Sequence, residues 1–145
     1  MGTGKDLLAR VAGAAHKATY RTTGGKVGGR AMGMPIIELV TTGRRTGKPR
    51  ATMVAAPVVD GDRIVIVAAY HGDQRHPQWY LNLRDNPVVT ATMDGKPRRM
   101  RARTVDGAER VQLWSRIVAA NDVYAKTQGK TSRQFPVVVL EPAVS

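Results

Sequence analysis

Residues 50–70 read RATMVAAPVVDGDRIVIVAAY. Two apolar, β-branched runs, 50–59 and 63–70, flank Asp60-Gly61-Asp62, and this arrangement predicts a β-hairpin. The signal recurs downstream, where residues 88–93 (VVTATM) and 97–105 (PRRMRARTV) flank Asp94-Gly95. In the later strand Arg99, Arg101 and Arg103 alternate with Met100, Ala102 and Thr104, so one face is basic. Upstream, residues 35–42 (PIIELVTT) read as a strand. Residues 136–141 (PVVVLE) read as a last strand, apolar throughout and therefore central. Helical signals are fewer. Residues 77–85 predict a short helix with Trp79, Tyr80 and Leu83 inward and Asn82 and Arg84 more exposed. Asp106 starts another as its N-cap, with Glu109 in capping-box register and Val111, Trp114, Ile117 and Val118 as the buried stripe. Residues 121–128 read as a short helix or a loop. Six strands with few helices predict a mainly β chain with helices (α+β), rolled into a small β-barrel.

Towards the N-terminus, residues 5–20 predict an amphipathic helix with Leu7, Leu8, Val11, Ala14, Ala15 and Ala18 near one face. Residues 22–33 (TTGGKVGGRAMG) hold five glycines and no acid and read as a connector. The organisation expected is therefore 1–33, helix and glycine-rich connector, followed by 34–145, the barrel. A chain of 145 residues, 42% hydrophobic, suffices for one domain with a core.

The formal charge is +12, from 23 Lys+Arg against 11 Asp+Glu. Such an excess favours an anionic partner: nucleic acid, an acidic membrane surface or a phosphorylated small molecule. With no cysteine, a disulfide scaffold, a thiol nucleophile and a Cys-based zinc site are excluded. No apolar run approaches the roughly 20 residues of a spanning helix, and the N-terminus lacks the apolar stretch of a secretion signal. A cytoplasmic protein is expected. Nucleic acid fits poorly: the basic strand carries no interleaved aromatic pair, and helix-turn-helix and finger templates are absent.

The densest chemistry lies in residues 41–50, TTGRRTGKPR, where two glycines and four cations sit between two strands. Glycines let backbone N–H groups approach an anion, and arginines make forked contacts to phosphate oxygens. It is not a Walker A loop, since only three residues lie between Gly43 and Gly47 and Pro49 follows Lys48. The competing reading is a solvated basic hairpin. The second segment is residues 70–86, YHGDQRHPQWYLNLRDN. Trp79 suits either core or cofactor platform. His71 and His76 make no convincing metal pair, because no third ligand is evident and His16 lies in another element, so no metal site is expected. The only serines, Ser115, Ser132 and Ser145, lie outside any nucleophile elbow, and no carboxylate pair stands out. If the chain is an enzyme, a cofactor carries the hard step.

The order ELVTTGRRTGKPRATMV, DGDRIVIVAAYHGDQRHPQWYLNLRDNPVVTATMDG, RARTV and FPVVVLEP resembles the deazaflavin-dependent nitroreductase family over residues 35–142. TTGRRTGKPR together with HPQWYLNL at this spacing is the specific part. The resemblance implies a split β-barrel of the FMN-binding-protein type. It also implies a reductase, using reduced coenzyme F420 as hydride donor, with quinone, nitroaromatic or enone-like acceptors. By position, Arg44, Arg45, Lys48 and Arg50 match the cradle for the cofactor's phosphate and acidic tail, and Thr41, Thr42 and Gly43 the backbone leading into it. Met53 and Ala55 on the next strand, and Ala68, Ala69, Tyr70, His71 and Gly72, resemble the lining of the deazaflavin ring. His76, Pro77, Gln78, Trp79 and Asn82 match the helix that closes the cofactor site. Tyr124 matches a tyrosine near the substrate pocket, where it or Tyr70 would stabilise charge on an acceptor oxygen as the catalytic group.

The chain departs from the family pattern where prodrug-reducing members carry more tyrosines, here Asn121 to Thr127, and at Met53 and Ala55. These differences bear on the acceptor rather than the cofactor. Two other classes stay open: a split-barrel protein binding FMN or another ligand, and a non-enzymatic basic binder of nucleic acid or a membrane surface. Partners expected are a small-molecule acceptor, no nucleic acid, and a second copy at most, as monomer or homodimer. The N-terminal helix either packs on the barrel or touches the inner face of the cell membrane.

Overall fold

The computed structural model describes residues 30–31, 33–69 and 75–143. The helix expected at 5–20 and most of the connector therefore lie outside the described residues, as do Tyr70, His71 and Gly72. The chain runs β1 (Arg30–Ala31), β2 (Met34–Thr42), β3 (Pro49–Ala55), β4 (Val58–Asp60) and β5 (Arg63–Val67). There follow α1 (Gln78–Asp85), β6 (Val88–Met93), β7 (Lys96–Thr104), α2 (Gly107–Ala120), α3 (Val123–Gln128) and β8 (Val137–Pro142).

All pairings are antiparallel. The strand order is β1-β2-β6-β7-β8-β5-β4, with β3 also pairing β2. Both hairpins stand where the sequence puts them. Asp60 pairs with Arg63 across Gly61-Asp62, and Met93 with Lys96 across Asp94-Gly95. Asp94 and Gly95 take φ of 53° and 76°, the two positive angles that suit a type I′ turn. The run 50–59 is not one strand, however. It divides at Ala56-Pro57, and proline has no N–H for a ladder. As a result β3 pairs with β2 while β4 pairs with β5. Arg30 and Ala31, read as connector, already belong to the sheet opposite Pro35 and Met34.

Inward side chains of the curled sheet form one core: Ile37 and Leu39, Ile64 and Ile66, Val89 and Ala91, Met100 and Ala102, Val138 and Leu140, closed by Tyr80 and Leu83 of α1. Alternate residues of β5 and β8, namely Val65, Val67, Val137 and Val139, face a second core with Leu113, Ile117, Tyr124 and Phe135. Both strands are thus covered on both faces, which is why their sequences, RIVIV and VVVL, do not alternate with polar residues.

α2 differs from expectation in two ways. Its buried residues are Leu113 and Ile117, while Val111 is 69% exposed and Trp114 and Val118 are half-buried. The expected capping box is also not formed, since Asp106 makes no side-chain cap bond. The Glu109 carboxylate instead takes both ends of the Arg103 guanidinium at 2.8 and 2.9 Å. A charge-assisted fork outcompetes a single bond to a backbone N–H.

Candidate active site

The cationic loop is the six-residue turn between Thr42 and Pro49, which pair across β2 and β3. Its shape comes from its own backbone. Gly43 N donates to Lys48 O and Gly47 N to Gly43 O, each at 2.8 Å, and Lys48 N donates to Thr46 Oγ1 at 3.2 Å. A Cβ on Gly43 would stand 2.9 Å from Thr46 Oγ1 and 3.2 Å from Lys48 O, closer than a side chain tolerates. Gly47 takes φ of 71°, which favours glycine. The glycines therefore serve the turn. Their own N–H groups are used inside it.

The four cations divide. Arg44 turns back onto α1: its N and Nη1 donate to Asn82 Oδ1 at 3.2 and 2.9 Å, and Nη2 donates to Gln78 Oε1 at 2.8 Å. Asn82 Nδ2 donates in turn to Thr41 Oγ1 at 3.2 Å. Asn82 is only 5% exposed, contrary to its expected place on the outer face of the helix. Buried polar groups must be satisfied, and here the partners come from β2 and its loop. Arg45, Lys48 and Arg50 are exposed. The loop, with Arg45 and Lys48, and the start of β3, with Arg50, thus present three exposed cations beside a base that Arg44 ties to α1.

A second tie meets the same helix at its start. Arg133, in the segment before β8, donates from Nη1 to Ala68 O and from Nη2 to Ala69 O at 2.9 and 2.8 Å. Its Nη1 also lies 2.9 Å from His76 Nδ1. Burial, then the charges of Arg133 and Arg84, push the His76 pKa below its ordinary 6.5. The His76 ring packs on Tyr80, with centroids 5.0 Å apart. Pro77 is buried, Gln78 exposed and Trp79 half-buried against the first core. Thr42, Met53, Ala55 and Ala69 are half-buried, and Ala68 is buried.

Three sequence-distant segments thus converge on α1: the 43–48 loop through Gln78 and Asn82, the end of β5 through His76 and Arg133, and β2 through Thr41. Arg133 was missed by sequence reasoning. It stands alone in a polar stretch, and its partners are 57 to 65 residues away.

Of the two readings of residues 121–128, short helix or loop, the helix is found around Tyr124. That residue lies in α3, 7% exposed, and its hydroxyl donates to Met34 Sδ at 3.6 Å. Burial raises its pKa to about 12. The helix forms because its apolar face, Val123 and Tyr124, meets the second core. Among the described residues no three His, Asp or Glu side chains gather for a metal.

A family model described as F420H2-dependent quinone reductase matches residues 13–142. A protein of Mycobacterium tuberculosis named F420H2-dependent quinone reductase is 41% identical over 130 residues, 86% of each chain. A solved F420-H2 dependent reductase is 36% identical, with a TM-score of 0.67 over 74% of this chain and 94% of that one. Another solved chain, described as a domain-swapped dimer, is 29% identical, with a TM-score of 0.71 over 96% and 100%. The split-barrel type of fold expected from the sequence agrees with these likenesses.

Proposed function

Since the chain belongs to the F420H2-dependent quinone reductase family, we propose that the frame around α1 is where it holds coenzyme F420. The chain is an F420H2-dependent reductase acting on a small-molecule acceptor. What we add is the assignment of residues. The observation that carries it is the double anchoring of α1: Arg44 fixes the cationic loop to the helix, and Arg133 joins His76, just before the helix, to Ala68 and Ala69 after β5.

The donor set fits the cofactor. Arg45 and Lys48 on the turn and Arg50 at the start of β3 are exposed cations, suited to a phosphate and an acidic tail. Thr42, Gly43 and Arg44 shape the floor beneath them. Met53 and Ala55 on β3, Ala68 and Ala69 after β5, and His76, Pro77, Gln78, Trp79 and Asn82 around α1 form the remaining frame. Ala55 and Ala69 are half-buried and small, and would let a flat ring come close to the backbone. When bound, the reduced deazaflavin supplies the hydride. The chain's own work is to hold the ring, keep water from it and offer neutral donors to developing charge. Quinone, nitroaromatic and enone-like acceptors share an electrophilic centre conjugated to such an oxygen.

The test is titration of the pure protein with F420, followed by turnover of reduced F420 with a quinone. Arg45→Ala and Arg50→Ala are expected to weaken binding at least about tenfold each, the loss of one charge-assisted contact of about 1.5–3 kcal/mol. Affinity is expected to fall with salt.

A homodimer is the assembly we favour over a monomer, following the related chain described as a domain-swapped dimer. Peripheral contact with an anionic membrane is a further proposal, at the inner face of the cytoplasmic membrane. It rests on the net +8 of residues 1–50, ten cations less Asp6 and Glu38. No helix among the described residues is long and apolar enough to cross a membrane. Liposome sedimentation with and without residues 1–30 checks it: the full chain is expected to partition more strongly, and equal partitioning removes the proposal.

A further inference from the structure

Arg133 makes more contacts at the proposed site than its place in the sequence suggests. Its two terminal nitrogens hold the Ala68 and Ala69 carbonyls and the Nδ1 of His76, all within 2.8–2.9 Å. Its guanidinium lies over the Phe135 ring, 4.9 Å from the centroid. Its backbone is held as well: Arg133 O accepts from Gln128 Nε2 at 2.7 Å, and Phe135 N donates to Gln128 Oε1 at 2.9 Å. An arginine so fixed at both ends is a rigid fork.

A guanidinium has only donors. The Nδ1 of His76 must therefore accept, and an accepting Nδ1 carries no proton. The neutral ring then holds its single N–H at Nε2. Protonating the ring would set an N–H against Arg133 and lose the bond, which agrees with the downward shift noted above. The other charge acting on His76 is Arg84, and the neighbouring ring is Tyr80.

We propose that Arg133 is a positioning residue of the cofactor site: it fastens the end of β5 and holds His76 as a neutral Nε2–H donor. The ligand atom such a donor takes is an acceptor, a ring carbonyl oxygen or an anionic ring nitrogen. A charged imidazolium there would bind the cofactor's oxidised and reduced forms unequally, and Arg133 prevents it. This rests on the assignment of the site to F420. The strand end has a second support, Ala68 N donating to Pro136 O at 2.9 Å, so the fold does not hang on Arg133 alone.

The test has two arms. In the cofactor-free protein, nitrogen-resolved histidine NMR at neutral pH is expected to show His76 neutral and protonated at Nε2. In Arg133→Met the tautomer preference is expected to be lost and the ring to titrate higher, towards its ordinary value. In the second arm, Arg133→Met and His76→Asn are each expected to weaken F420 binding about tenfold. Asparagine places an oxygen near Nδ1, so it keeps the Arg133 contact but removes the donor. A wild-type His76 that is charged or protonated at Nδ1 overturns the proposal, and this arm needs no cofactor and no variant. Wild-type F420 affinity in both variants also overturns it. If Arg50→Ala loses affinity while both variants keep it, this inference alone fails. If Arg50→Ala keeps it too, the site assignment fails with it.

Discussion

Asn82 uses both ends of its carboxamide: the oxygen accepts from Arg44 and the nitrogen donates to Thr41. Asn82→Ala strands Thr41, which is buried, and frees the base of the cationic loop. An unsatisfied buried polar group costs about 1–3 kcal/mol, so urea unfolding is expected to show a loss of that size. F420 affinity is expected to drop with it, because Arg44 then keeps only its Gln78 contact to hold the loop to α1. A loss below about 0.5 kcal/mol would mean the network is incidental. For Tyr124 the expectation is the reverse. A hydroxyl donating to sulfur is a weak bond, so Tyr124→Phe is expected to leave quinone kcat/KM unchanged and stability within about 1 kcal/mol. A tenfold loss of kcat/KM would instead restore the acceptor role suggested by the family resemblance. These two residues show where sequence reading stops. The polarity of Asn82 placed it outward, and only a partner 41 residues away makes its burial affordable. Arg133 has the same character, with no local pattern to mark it.

At the scale of elements, hairpins and strands were legible because their signals are local: turn residues between apolar runs. Pro57 was a visible break that the apolar run concealed. The placement of α2 was less legible, because its face is chosen by distant charges. Arg116 forks onto Asp60 at 2.8 and 2.7 Å, and Arg63 adds a third contact at 2.8 Å. At the other end of the helix Arg103 joins Glu109 and Glu141. With these ties around it, the helix turns Leu113 and Ile117 inward and leaves Val111 in solvent. Asp60 offers a pH test. Hydrogen bonds from Arg116 and then Arg63 hold its carboxyl well below the usual carboxylate range. A carboxylate whose folded pKa is lowered stabilises the fold above its unfolded pKa, and that contribution is lost as pH falls below it. Wild-type stability is thus expected to decline as pH falls below about 3.8, the ordinary aspartate value. Asp60→Asn is expected to flatten that decline in unfolding scans. An unchanged acid profile would show that the exposed cluster contributes nothing, the common fate of surface ion pairs.

Across the whole molecule, the +12 charge has more than one use. Part of it is spent on internal ties: Arg44, Arg103, Arg116 and Arg133 all bind groups of the chain itself. Arg45 and Lys48 are exposed on the loop that the fold fastens to α1, and Arg50 is exposed where β3 leaves it. Composition announced an anionic partner but could not tell these uses apart, since both need arginine and only the fold decides which way each one turns. The account therefore stands on three side chains more than on net charge. The direct measurement is an F420 titration of wild type and of the triple variant Arg45→Ala, Lys48→Ala, Arg50→Ala, with far-UV circular dichroism to confirm the fold. The variant is expected to fold normally, to lose at least about a hundredfold in F420 affinity and to lose most of the salt dependence of binding. Wild-type affinity in a folded triple variant would contradict it and would place the cofactor elsewhere on the molecule.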